Sequence, residues 1–118
     1  MNVDSFRSYC LSKPHVTESL PFDEHTLVFK LNGKMFALIG LKLGEGCNLK
    51  CDPERAMQLR EFYSAVSPGY HMNKKHWNTI QFNDDVNDNL IIELINHSYD
   101  LVFSKFSKKI QKELLNER

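Results

Sequence analysis

Thr26-Leu-Val-Phe-Lys-Leu31, Asn32-Gly33 and Lys34-Met-Phe-Ala-Leu-Ile-Gly-Leu41 follow one another without a gap, and this stretch decides the fold. Two apolar runs joined by Asn-Gly form the strongest short signal for a β-hairpin, because both central residues of a type I′ turn need positive φ. Replacing Gly33 by a β-branched residue is expected to cost on the order of 1 to 3 kcal/mol. In the first run Leu27, Phe29 and Leu31 alternate with Thr26, Val28 and Lys30, which gives one apolar face. The second run is apolar on both faces, with Phe36 and Leu38 expected to be buried. The sheet is therefore covered fully on one side and partly on the other.

On the N-terminal side, Val3, Phe6 and Cys10 recur at helical spacing between a cap at Asn2 and a stop at Pro14, predicting a short amphipathic helix over 3–12. Asp23-Glu24-His25 reads as a polar turn. On the C-terminal side, Gly44-Glu45-Gly46 turns the chain into a strand over Cys47 to Cys51. Asp52 followed by Pro53 is an N-cap with proline at the first helical position, opening a helix to about Tyr63. Ser67-Pro68-Gly69 breaks the chain, and His76 to Phe82 reads as a last strand with Ile80 and Phe82 inward and Trp77, Thr79 and Gln81 outward. The polar segment 83–88 opens the longest helix, Asn89 to about Lys105, with a stripe of Leu90, Ile91, Leu94, Ile95, Leu101 and Val102. His97 on this helix reads as a partly buried structural residue. Ser107 to Arg118 is Lys-rich and could continue the helix through Ile110 and Leu114. Hairpin-linked strands grouped between helices argue for α+β: a two-layer sandwich of an antiparallel β-sheet with helices packed on one face.

With 118 residues, 42% of them hydrophobic, the chain has the size of one domain spanning 1–118. No apolar run approaches a bilayer span and no leader opens the chain, so the expected location is the cytoplasm. Fifteen basic and fifteen acidic residues give zero net charge, which supplies no overall electrostatic case for nucleic acid. The charges are nonetheless unevenly placed. No acid falls between Glu61 and Asp84 or between Asp100 and Glu113, and those windows hold Lys74, Lys75, Lys105, Lys108, Lys109 and Lys112. Cys10, Cys47 and Cys51 are odd in number and read as reduced, structural thiols. Four residues of strand rise would separate Cys47 from Cys51 by roughly 13 Å, too far for a disulfide or a shared metal.

Several blocks together carry a family likeness: Lys13-Pro14-His15-Val16-Thr17-Glu18, Pro21-Phe22-Asp23, Gly33-Lys34-Met35-Phe36-Ala37, Asn48 to Ala56, and above all Pro68-Gly69-Tyr70-His71-Met72-Asn73-Lys74-Lys75-His76-Trp77-Asn78. Over nearly its whole length the chain resembles the MmcQ/YjbR family of small bacterial proteins. The resemblance implies a CyaY-like α+β fold and a DNA-binding role through a double-wing motif. The Lys-rich tail from about residue 107 lies outside the common pattern.

The block from Tyr70 to Trp77 is the candidate nucleic-acid site. Lys74 and Lys75 could neutralise phosphates while Tyr70 and Trp77 stack on bases, with His71 and His76 between them and no acid in the block. The plainer reading is a solvated turn, with Trp77 filling the second face of the sheet. Lys50 and Arg55 flank the start of the second helix and extend the patch, against the repulsion of Asp52 and Glu54. No catalytic or metal-binding motif is present: His71 and His76 are five apart, and no nucleophile elbow or phosphate loop occurs. The expectation is a binding protein without cofactor or metal. DNA is the expected partner, bound weakly and with little sequence preference, and an unidentified protein is the alternative.

Overall fold

The computed structural model describes residues 1–42, 44–69 and 72–116. Its elements are α1 (Val3–Ser12), β1 (Val16–Ser19), β2 (Thr26–Leu31), β3 (Lys34–Gly40), β4 (Cys47–Lys50), α2 (Pro53–Phe62), β5 (Val66–Pro68), β6 (Trp77–Ile80), α3 (Asp88–Lys105) and α4 (Lys108–Asn116). The strands form one antiparallel sheet in the order β1-β2-β3-β4-β6-β5. The α+β sandwich expected from the sequence is the architecture observed.

The caps act where the sequence placed them. Asn2 accepts from Ser5 N at 2.8 Å in a capping box, and Asp52 accepts from Arg55 N at 3.1 Å ahead of Pro53. Asn87 caps α3 by accepting from Leu90 N at 2.8 Å. In the hairpin Asn32 has φ 48° and Gly33 φ 81°, the two positive values that a type I′ turn requires.

The main core lies between the sheet and the helices. Phe6, Leu27, Phe29, Leu31, Phe36 and Ile39 are buried in it with Ile91, Leu94 and Ile95 of α3. Each such side chain contributes about 1.5 to 3 kcal/mol of burial. Phe6 meets Phe29 edge-on at 5.9 Å and Phe36 meets Tyr99 at 5.4 Å. A second, smaller cluster of Val28, Leu38 and Trp77, with Met35 and Met72 against it, occupies the other face.

Strict alternation would put Phe36 and Leu38 on one face, and the structure separates them. The β2–β3 register shifts at Phe29/Lys30, where Phe29 pairs with Ala37 and Lys30 with Met35. Phe36 is the extra residue of this bulge, so it joins Ala37 and Ile39 in the main core while Met35 and Leu38 go to the other face. Ser98, fully buried on α3, bridges β3 and β4 nearby: its hydroxyl donates to the Phe36 carbonyl and accepts from Lys50 N at 3.0 Å. A serine inside an apolar helical stripe satisfies the two backbone groups that the ladder leaves over.

One further reading is corrected. Ser67 and Pro68 do not break the chain: they belong to β5, an edge strand where proline's missing N–H costs no ladder bond. The Lys-rich C-terminal segment is helical, as expected, and forms a helix of its own, α4. The backbone turns extended at Phe106, and Ser107 Oγ accepts from Ile110 N at 3.2 Å to start α4. Leu114 is then buried, and the ring N–H of His15 donates to the Leu114 carbonyl at 2.7 Å. Among the described residues, no helix is long and apolar enough to cross a membrane.

Candidate nucleic-acid interface

The segment from Gly69 to Trp77 is held by backbone and by one arginine. Gly69 N–H donates to the Trp77 carbonyl at 2.9 Å, and a Cβ at Gly69 would lie 2.8 Å from that of Trp77, so only glycine allows this approach. The Asn73 carbonyl accepts from His76 N and Trp77 N, and its side chain accepts from Lys75 N at 2.9 Å. Arg60, half-buried on α2, donates to Asn78 Oδ1 at 2.6 Å, to the Trp77 carbonyl at 3.2 Å and to the Lys74 carbonyl. These bonds hold the main chain and leave Lys74 and Lys75 exposed. Tyr70 and His71 lie outside the described residues. His76 is half-buried, and its carbonyl accepts from Cys51 N at 2.7 Å, extending the β4–β6 pairing.

Trp77 is only 7% exposed, packed with Val28 and Leu38. It does not offer a free ring for stacking, which corrects that part of the expected site. Sequence alternation pointed it away from the main core but could not show that Met72 and Met35 close over the second face. Lys50 pairs with Trp77 across β4 and β6, so these two expected site residues are brought together. Arg55 is not brought to them: its guanidinium is engaged by Glu93 at 2.9 Å. His97 accepts from Asp52 N at 3.1 Å, and burial, reinforced by Arg55, lowers its pKa, so its role is structural.

At this end of the sheet lies a cavity of about 360 Å³. Its apolar wall is Met35, Trp77, Val102 and Phe106, and its basic groups are Lys34, Lys50 and Lys105. No acid lines it. Lys34 and Lys105 were not among the expected site residues. Lys105 falls in an acid-free window of the sequence, and Lys34 directly follows the hairpin turn, but only topology brings them to Trp77.

The antiparallel registers make this a property of the whole molecule. The end of β2, the start of β3, the end of β4 and the start of β6 lie together, which gathers Lys30, Lys34, Lys50, Lys74 and Lys75, joined by Lys105 from the last turn of α3. The segments at the opposite end carry Asp23, Glu24, Glu45, Asp84, Asp85 and Asp88, with Lys42. Zero net charge therefore conceals two ends of opposite sign.

The thiols are all buried and unpaired with one another. Burial pushes Cys10 up to about 12 and Cys51 up to about 11, and raises Cys47 as well, so none is poised as a nucleophile. Among the described residues, no group of three or more His, Cys, Asp or Glu could hold a metal ion.

Known proteins match this chain along most of its length. It is 35% identical over 112 residues to the Escherichia coli O157:H7 protein YbdF, covering 94% of this chain and 92% of that one. The crystal structure of a Deinococcus radiodurans protein superposes with a TM-score of 0.88 at 41% identity, over 96% of this chain and 87% of the other. A Pseudomonas syringae crystal structure superposes with a TM-score of 0.74 at 30% identity, over 86% and 98% respectively. The YjbR family model matches residues 11–101, so the bulged hairpin, α2, the Lys74–Lys75 turn and most of α3 all fall within it, and this chain belongs to the YjbR family.

Proposed function

We propose that this chain is a binding module, not a catalyst, and that it binds nucleic acid weakly and with little sequence preference through the basic end of its sheet. The observation that carries this reading is the convergence there of lysines from β2, β3, β4, the segment before β6 and α3. Among the described residues, no carboxylate forms an ion pair with any of them. Asp52 and Glu54 at the start of α2 limit the strength of the patch. Lys74 and Lys75 stand on a turn whose backbone is already held, so they are presented to phosphates with little further ordering.

Fluorescence anisotropy against single- and double-stranded DNA and RNA at several salt concentrations tests it. Binding should weaken as salt rises, and Lys74→Glu with Lys75→Glu should lower the duplex log–log slope by about 2, at ~0.9 per phosphate. The melting temperature should stay nearly unchanged, because both side chains are exposed. Absence of salt-dependent binding would sink the proposal in favour of a protein-docking domain. That second reading rests on α2, where Phe62 is 79% and Met57 59% exposed.

A further inference from the structure

The cavity beside Trp77 combines two features that an extended phosphate track does not need: an apolar wall and a small volume. At about 360 Å³ it falls near the lower end of small-molecule sites, which run from roughly 300 to 1,000 Å³. It can hold one compact group and not a duplex. Its wall offers hydrocarbon and ring surface from Met35, Val102, Phe106 and the small accessible part of Trp77, and among the described residues no acid lines it. Its rim offers three ammonium groups from three different elements, Lys34 on β3, Lys50 on β4 and Lys105 on α3. Such a site favours a ligand that is flat and apolar at one end and multiply anionic at the other. Among the described residues its side chains offer only lysine donors, so it discriminates little between bases.

The cavity also has a physical origin. The bulge sends Met35 to this face, and Ser98 takes over the Phe36 and Lys50 backbone groups, so β3 and β4 do not close on each other here. The backbone turn at Phe106 ends α3 beside the opening. Val102, Lys105 and Phe106 lie just beyond the residues that match the family model.

We infer that this cavity is a subsite for a single unstacked nucleotide, its base against Met35 and Phe106 beside the buried Trp77 and its phosphate among Lys34, Lys50 and Lys105. This rests on the nucleic-acid reading above and sharpens it: the basic end favours single strands, which can turn one base out, over duplex, which cannot without unpairing. The same chemistry is offered by a free nucleotide, and the test separates the two.

Trp77 is the chain's single tryptophan and lines this cavity, so its fluorescence responds to an occupant there. Titrating the intact protein with an oligothymidylate, adenosine 5′-monophosphate, adenosine and inorganic phosphate should give saturable changes in emission with the first two. Adenosine should bind about tenfold more weakly or worse for want of the charged contact. Lys34→Gln with Lys105→Gln, both exposed and expected to leave the melting temperature unchanged, should abolish the emission change and the preference for single strands. Duplex binding through Lys74 and Lys75 should persist. A response to the oligonucleotide without the mononucleotide supports the strand as the source. A response to the mononucleotide with no nucleic-acid binding overturns the reading above and makes the cavity a free-nucleotide site. Salt-dependent strand binding that leaves Trp77 emission and the Gln pair indifferent overturns the subsite and keeps the reading. Silence in every arm overturns both.

Discussion

The acidic and basic ends of this sheet use their charges in opposite ways. At the acidic end the carboxylates turn onto neighbouring donors. Asp85 accepts from Ser64 N at 2.7 Å and Ala65 N at 2.9 Å, Asp23 from His25 N at 2.7 Å, and Asp84 from Asp85 N at 2.7 Å, while Asp88 meets the terminal amine at 2.8 Å. At the basic end the lysine ammonium groups hold nothing together, and an arginine of α2 and an asparagine side chain fix the turn that carries two of them. One end spends its charge on structure. The other keeps its charge for solvent or a ligand, which is why function is proposed there although the totals cancel.

The sharpest way to break this comparison is through the glycines of the two ends. Gly46, at the acidic end, has φ 70°, and an added Cβ would lie 2.3 Å from the Ile80 carbonyl oxygen. That neighbour is sheet backbone and cannot yield. Gly46→Ala should cost about 3 kcal/mol or more, from left-handed strain plus overpacking. Gly33, at the basic end, has φ 81° with nothing within 4 Å of its would-be Cβ, so Gly33→Ala should cost only about 1 kcal/mol. Urea melts of the two variants check the ranking, and equal losses would mean that the ends are not built differently.

Arg60→Ala is the next largest effect. It removes a charge-assisted bond to Asn78, whose side chain is buried, together with the bonds to the Lys74 and Trp77 carbonyls. The expected loss is about 2 kcal/mol in a denaturant melt. Because Arg60 fixes the turn without touching a ligand, nucleic-acid affinity should fall with it, although the lysines are intact. A variant that loses stability but binds as tightly as the parent would show that the turn needs no holding.

Much of this contrast could be read before the fold was seen, and the exceptions have physical causes. The Asn32-Gly33 turn, the caps at Asn2 and Asp52 and the acid-free windows are local, and local chemistry decides them. Phe36, Arg60, Lys34 and Lys105 could not be placed in that way. Phe36 reaches the main core through a bulge that alternation cannot anticipate, and Arg60 meets Asn78 and Trp77 only after α2 folds back along β6. Lys34 and Lys105 stand far apart in sequence and share a cavity only through topology. Trp77 was placed on the right face, but its burial depended on Met35 and Met72, whose reach leaves no periodic trace.

The smallest effect is on pH, and it separates the two halves of the charge pattern. Asp85 is held below the ordinary carboxylate range, first by the backbone N–H of Ala65 and then by that of Ser64. The N–H of His25 does the same for Asp23. Groups with a depressed folded pKa bind fewer protons in the native state than in the unfolded one, so their contribution is present above about pH 4 and is lost as pH falls below it. His97 is also depressed, by burial and by Arg55, and its ring nitrogen must stay unprotonated to accept from Asp52 N. Its contribution is therefore complete above about pH 6.5 and declines as pH falls from that value. Stability against pH, measured by urea melts, should show a shallow decline starting near 6.5 and a second one below 4. His97→Gln should remove the first step and leave the second, and Asp85→Asn should shrink the second and leave the first. Salt-dependent binding should follow the folded fraction through both steps.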